Sequence, residues 1–111
     1  MPSKYKLRNP KTITKCMKSY QRKTSKFFIL KKNDSFETNF VIIVSKKAIK
    51  KATQRNKLKR RIRHIIKINI INIPKGNYCI IAKNNISFIE LSYSDINADI
   101  LEMFDTNSRL I

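Results

Sequence analysis

Apolar residues fall along this chain in short blocks whose spacing changes several times. Ile13, Cys16 and Met17 stand at i, i+3 and i+4, the stripe of an amphipathic helix, while Lys11, Lys15 and Lys18 take the solvated side. Pro10 suits the first turn of that helix, where its missing N–H costs nothing. Phe27 to Leu30 is a short run of strand formers, and Lys31 to Ser35 reads as the turn after it. Phe40 to Val44 is largely β-branched and predicts a buried strand.

The longest period is helical, from about Thr53 to Ile70. Leu58, Ile62, Ile65 and Ile66 line one face; Asn56, Arg60, Arg63 and Lys67 recur at i, i+4, i+7 and i+11 on the other, with Lys59 and Arg61 on the flanks. At 1.5 Å per residue such a helix offers a cationic edge roughly 25 Å long. Pro74-Lys75-Gly76-Asn77 breaks the chain before a strand over Tyr78 to Ala82. Ser92-Tyr93-Ser94-Asp95 reads as a capping box, and Tyr93, Ile96, Ile100, Met103 and Phe104 give the following helix its buried face. Helix, strands, helix, strand, helix is an α+β order: a small sheet covered by helices. With 111 residues the chain has room for a single domain, 1–111, of which 1–9 read as a flexible basic tail.

Charge changes the picture most. The chain carries 25 Lys and Arg against 7 Asp and Glu, a formal charge of +18, beside 41% hydrophobic residues that suffice for a core. A fold must overcome that self-repulsion, and a polyanion relieves it. The distribution is polarised. From Thr38 to Ile89 there are thirteen Lys or Arg and no acid, whereas Glu90, Asp95, Asp99, Glu102 and Asp105 cluster near the C-terminus. No apolar run reaches the roughly 18–20 residues that span a bilayer, and the N-terminus lacks the apolar segment of a secretory signal. Cys16 and Cys79 lack metal-ligand spacing and read as reduced structural thiols of a cytoplasmic protein.

Protein-based catalysis finds little support. The only histidine, His64, stands among arginines without an assured acid partner, and reads as an incidental side chain of its helix. No acids pair within the basic region as a two-metal site requires, and a single Gly excludes a glycine-rich phosphate loop. The sequence offers no catalytic residues and no metal ligands of its own. Any chemistry comes from a partner.

A basic run alone says only that something anionic binds. Here Val44-Ser45-Lys46-Lys47 is followed by seven residues and then by Arg55-Asn56-Lys57-Leu58-Lys59-Arg60-Arg61-Ile62-Arg63. This resembles the bacterial ribonuclease P protein family, with its Ser-Lys-Lys-like turn and Arg-Asn-Arg-x-Lys-Arg-x-x-Arg helix. Lys57 stands where the family usually has Arg, which replaces a planar fork by a point charge. His64 stands where an acid or amide is common. Lys6-Leu7-Arg8 is similar to the family's entry to the first helix, and Phe28-Ile29-Leu30 to its second strand. Tyr78 to Lys83 resembles the late strand ending in Ala-Lys, and Leu91-Ser92-Tyr93 the start of the last helix.

The resemblance implies a small two-layer α/β sandwich, order α-β-β-β-α-β-α, with the basic helix in a left-handed β-α-β crossover. It implies a protein subunit that binds a large catalytic RNA and the 5′ leader of precursor tRNA, while RNA and Mg²⁺, held mainly by the RNA, carry the hydrolysis. The expected RNA contacts are Lys46, Lys47, Arg55, Asn56, Lys57, Lys59, Arg60, Arg61, Arg63 and Lys67. The leader cleft is expected between the first helix and the sheet, at Ile13, Met17, Phe28 and Lys31, with Lys59 and Arg63 reaching the phosphates. Ile13, Met17 and Lys31 replace aromatics that the family commonly presents, so leader binding here leans on charge; Ile13 and Met17 also read as plain core residues. No membrane and no stable protein partner are expected. A ribosomal or general RNA-binding protein of similar sandwich fold is the alternative at this point; a basic helix lying on a membrane surface fits less well, because Leu58, Ile62 and Ile65 suit a packed core.

Overall fold

The computed structural model describes residues 10–19 and 21–104. Pro10 opens helix α1 (Pro10–Met17), which is followed by strands β1 (Gln21–Thr24), β2 (Phe28–Asn33) and β3 (Thr38–Ile43). Helix α2 (Ala52–Ile68) then leads through a 3₁₀ turn (Ile70–Asn72) to β4 (Gly76–Ala82). A second 3₁₀ turn (Phe88–Glu90) precedes α3 (Tyr93–Phe104). The expected α-β-β-β-α-β-α order is therefore present. The sheet runs β1-β2-β4-β3; β2 is antiparallel to β1 and β4, whereas β3 and β4 lie side by side in parallel, so α2 is the crossover that joins them.

Period-two alternation divides the sheet into two faces. Phe28 and Leu30 pair with Ala82 and Ile80, and Phe40 and Ile42 with Tyr78 and Ile80, so these residues share one face. Leu58, Ile62, Ile65 and Ile66 of α2 and Ile96, Ile100, Met103 and Phe104 of α3 cover that face and form one core with it. Each fully buried Ile or Phe contributes roughly 1.5–3 kcal/mol. Tyr78 stacks on Phe40 (ring centroids 5.3 Å apart), takes the edge of Phe104 at 5.2 Å and donates its hydroxyl to Pro74 O at 2.5 Å. Burial pushes the Tyr78 phenol up to about 12.

The reverse face carries Ile29, Lys31, Val41, Ile43, Cys79 and Ile81, and α1 lies against it. Cys16 is the buried contact, its Sγ 3.2 Å from Asn77 O and 3.4 Å from Lys31 O. Burial, then the neighbouring Cys16, pushes the Cys79 thiol up to about 12, and both cysteines are free thiols buried in the packing.

Two polar locks fix the connections. Buried Asp99 of α3 accepts from Ser25 Oγ (2.6 Å) and from the backbone N–H groups of Lys26 and Phe27 (both 3.0 Å), which pins the β1–β2 turn to α3. The capping box forms as its sequence predicts: Ser92 N–H donates to Asp95 Oδ2 at 3.0 Å and Asp95 N–H to Ser92 Oγ at 3.1 Å. Gly76 sits where β4 passes β2 closely; a Cβ there would stand 3.2 Å from Asn33 O.

The structure corrects several boundaries. Lys31 to Asn33 continue β2 instead of turning, because their backbone pairs with Cys79 to Asn77 of β4. Helix α2 stops at Ile68, two residues early, where Asn69 turns its backbone N–H to Ile66 O and starts the 3₁₀ turn. The strand expected over Phe40 to Val44 is Thr38–Ile43. Tyr93 is exposed, not part of the buried face of α3. The tail at 1–9 lies outside the described residues.

Candidate RNA-binding site

The Ser-Lys-Lys turn is built by its serine. Ser45 O accepts from the N–H groups of Ala48 and Ile49 (both 3.1 Å), and Ser45 Oγ accepts from Ala48 N–H at 3.2 Å. This closed turn leaves Lys46 and Lys47 exposed at the entrance to α2.

Along α2 the two faces separate as the periodicity predicts. Leu58, Ile62, Ile65 and Ile66 are buried, Asn56, Lys57, Arg60 and Lys67 are exposed and Lys59 and Arg61 half-buried on the flanks; Arg63, expected on the solvent face, is half-buried as well. The first turn of α2 has no acidic residue, so the partial positive charge of the helix N-terminus adds to the basic field. Arg55 departs from this pattern. Three residues before Leu58, it points toward the core side, half-buried, and donates through one guanidinium nitrogen to Ile49 O (3.0 Å) and Lys50 O (2.6 Å). It braces the loop that presents Lys46 and Lys47.

On the reverse face, Ile13 and Met17 are half-buried on α1, and Lys31 reaches across to donate Nζ to Met17 O at 2.5 Å. Beside them Ile29, Val41, Ile43 and Ile81 form a half-buried apolar floor. Two cleft expectations need correction. Phe28 is 0% exposed and lies on the opposite face, its ring 5.6 Å from Phe88, so it cannot touch a ligand beside α1. Its neighbour Ile29 is the one that shares the face of Lys31, and the i, i+2 alternation with Lys31 was the available signal. Lys59 and Arg63 belong to α2, on the other side of the sheet from Ile13 and Met17. A single strand that touches both sets has to run round an edge of the sheet.

Among the described residues no three His, Cys, Asp or Glu side chains come together to hold a metal ion, and no helix is long and apolar enough to cross a membrane. Buried Asp99 is engaged by three hydrogen bonds with the β1–β2 turn. This donor set does not fit a protein-held Mg²⁺.

A basic crossover helix behind a serine-built Lys-Lys turn, on this sheet order, can be compared with known proteins. The ribonuclease P family model matches residues 1–107. The chain belongs to the ribonuclease P protein family. It is 34% identical over 88 residues to the ribonuclease P protein component of Rickettsia typhi, covering 78% of this chain and 72% of that one. The ribonuclease P protein of Thermotoga maritima superposes with a TM-score of 0.80 at 26% identity, over 89% of this chain and 94% of that one. The Staphylococcus aureus ribonuclease P protein shares the fold, with a TM-score of 0.78 at 20% identity over 89% and 91% of the two chains. The alternative of a ribosomal or general RNA-binding protein therefore gives way. As a ribonuclease P protein component the chain serves tRNA processing, working with the RNA subunit and with precursor tRNA.

Proposed function

We propose that this chain binds the catalytic RNA of ribonuclease P through the solvent side of α2 and the turn before it, and guides the 5′ leader of precursor tRNA along the reverse face of the sheet. The observation that carries this reading is the division of α2 into an apolar face locked in the core and a basic face with no structural partner-face of its own. Asn56, Arg60 and Lys67 meet phosphates directly, with Lys46, Lys47, Lys57, Lys59, Arg61 and Arg63 around them; Arg55 acts by holding the loop in place. A rigid array of this kind binds RNA without a folding cost at the moment of binding.

The leader runs beside α1 over Ile13, Met17, Ile29 and the stem of Lys31. Aromatic faces that stack bases contribute roughly 1–3 kcal/mol per base; among the described residues this path offers Ile13, Met17, Ile29 and Lys31, so leader affinity leans on cations and apolar contact. Lys59 and Arg63 meet the leader only as it rounds the sheet edge. Hydrolysis belongs to the RNA, which also holds the Mg²⁺, and the assembly works in the cytoplasm. The test is reconstitution. RNA-free protein should leave precursor tRNA intact, and adding ribonuclease P RNA with Mg²⁺ should restore 5′ cleavage. Metal-dependent cleavage by RNA-free protein, abolished by a point substitution in this chain, would contradict the assignment.

A further inference from the structure

Helix α2 has a second flank, away from Lys59 and Arg63. Lys57, Arg61 and His64 lie along it at i, i+4 and i+7, and it meets the connection between β4 and α3. There a recess of about 150 Å³ opens, walled by Leu58, Phe88, Ile89 and Leu91 and lined also by Gln54, Lys57 and Arg61. Ile89 is 72% exposed beside it. One turn further on, Tyr93 stands 38% exposed with its ring centroid 6.0 Å from that of His64, tilted by 56°. Neither exposed side chain is needed for the core, which closes without them.

We propose that this flank is a second single-stranded RNA site. One unpaired base enters the recess, its phosphates meet Lys57 and Arg61, and a neighbouring base stacks on Tyr93. Three observations favour this occupant. The recess is well below the roughly 300 Å³ at which drug-sized ligand sites begin, a size suited to a single ring system. Its walls are apolar, with one amide, Gln54, able to donate to and accept from a base edge. Its charged lining is wholly cationic and continuous with the helix face assigned to RNA. An apolar peptide anchor would fill the walls but leave both cations without a counter-charge. The proposal rests on α2 facing RNA and adds a site that reads unpaired bases to one that reads phosphates.

The test uses the full chain and two probes: a ten-nucleotide single-stranded RNA carrying one 2-aminopurine, and a hairpin duplex of matched charge. Tyr93→Ala should weaken single-strand binding about fivefold or more, the lower end of one lost base stack, and relieve the 2-aminopurine quenching. Tyr93→Phe should bind as the unsubstituted chain does, since the ring remains. Ile89→Glu, at an exposed position that tolerates change, should weaken the single strand more than the duplex. Single-strand affinity unchanged in Tyr93→Ala and Ile89→Glu, with Arg60→Ala weakened, would overturn this site and leave α2 as an RNA face. Arg60→Ala unchanged as well would overturn both. Loss in these variants of binding to an acidic, leucine-containing peptide, with no loss for RNA, would assign the recess to a protein partner and overturn the proposal.

Discussion

Replacing Arg55 by alanine separates two uses of a motif arginine. Its guanidinium holds the Ile49 and Lys50 carbonyls. A hydrogen bond from a charged donor contributes roughly 1.5–3 kcal/mol; one of the two bonds is exposed to solvent, which brings the expected loss to about 1–3 kcal/mol for the pair. At about 4–8 °C per kcal/mol for a small domain, the melting temperature should fall by roughly 5–20 °C. Arg55→Lys sharpens the comparison, because an ammonium keeps the charge but ends one atom short of the terminal guanidinium nitrogen that reaches both carbonyls. Thermal melts followed by circular dichroism on RNA-free protein should show both variants destabilised. RNA affinity should fall further in Arg55→Ala than in Arg55→Lys. If Arg55→Ala melts with the unsubstituted chain yet loses RNA affinity, the guanidinium is a direct RNA contact and the bracing role is wrong.

Arg60→Ala, at an exposed position, should change stability by no more than about 0.5 kcal/mol while weakening RNA binding. Ile62→Ala, at a fully buried one, should cost about 2–5 kcal/mol, and equal melting losses in the two would refute the division of α2 into faces. Asp99→Ala strands the N–H groups of Lys26 and Phe27 and leaves the Ser25 hydroxyl only the longer bond to Phe28 O, so it should cost roughly 2–4 kcal/mol, with amide exchange at residues 25–27 rising first. The backbone N–H of Ser92, then its hydroxyl, holds the Asp95 carboxyl below its ordinary value of 3.8. The stabilisation is therefore complete above the unfolded pKa and is lost as pH falls through the lowered one. Ser92→Ala removes only the second of these causes, so it should move the Asp95 titration upward in part in an NMR pH series, and an unmoved titration would remove the hydroxyl as a cause and leave the backbone N–H.

Elements with a strong apolar period are legible in the sequence. The α2 faces, β4 and the Ser92–Asp95 cap follow from spacing and side-chain chemistry alone. Strand β1, Gln-Arg-Lys-Thr, has no apolar residue, since it lies at the sheet edge and is held by backbone pairing with β2; no hydrophobic pattern could reveal it. Lys31 to Asn33 read as a turn for the same reason: local polarity is overridden by pairing with β4. Within the candidate site, spacing told which α2 residues face solvent but not that Arg55 turns back to a loop five and six residues earlier. The error at Phe28 was one of register, since a single-residue shift exchanges the sheet faces. The β4–α3 recess was invisible because Ile49, Leu58 and Phe88 converge only through tertiary packing.

If the solvent side of α2 lies against the catalytic RNA, a cleaving probe tethered to that side must cut it. Cys16 and Cys79 are both fully buried, so a single introduced cysteine can be labelled selectively. Iron-EDTA tethered at Arg60→Cys should cut ribonuclease P RNA in the assembled enzyme. The same reagent at Thr24→Cys, on the edge strand farthest from β3 in the sheet order, should leave that region of the RNA intact. Cleavage from position 24 and none from position 60, in a complex that still processes precursor tRNA, would contradict the account.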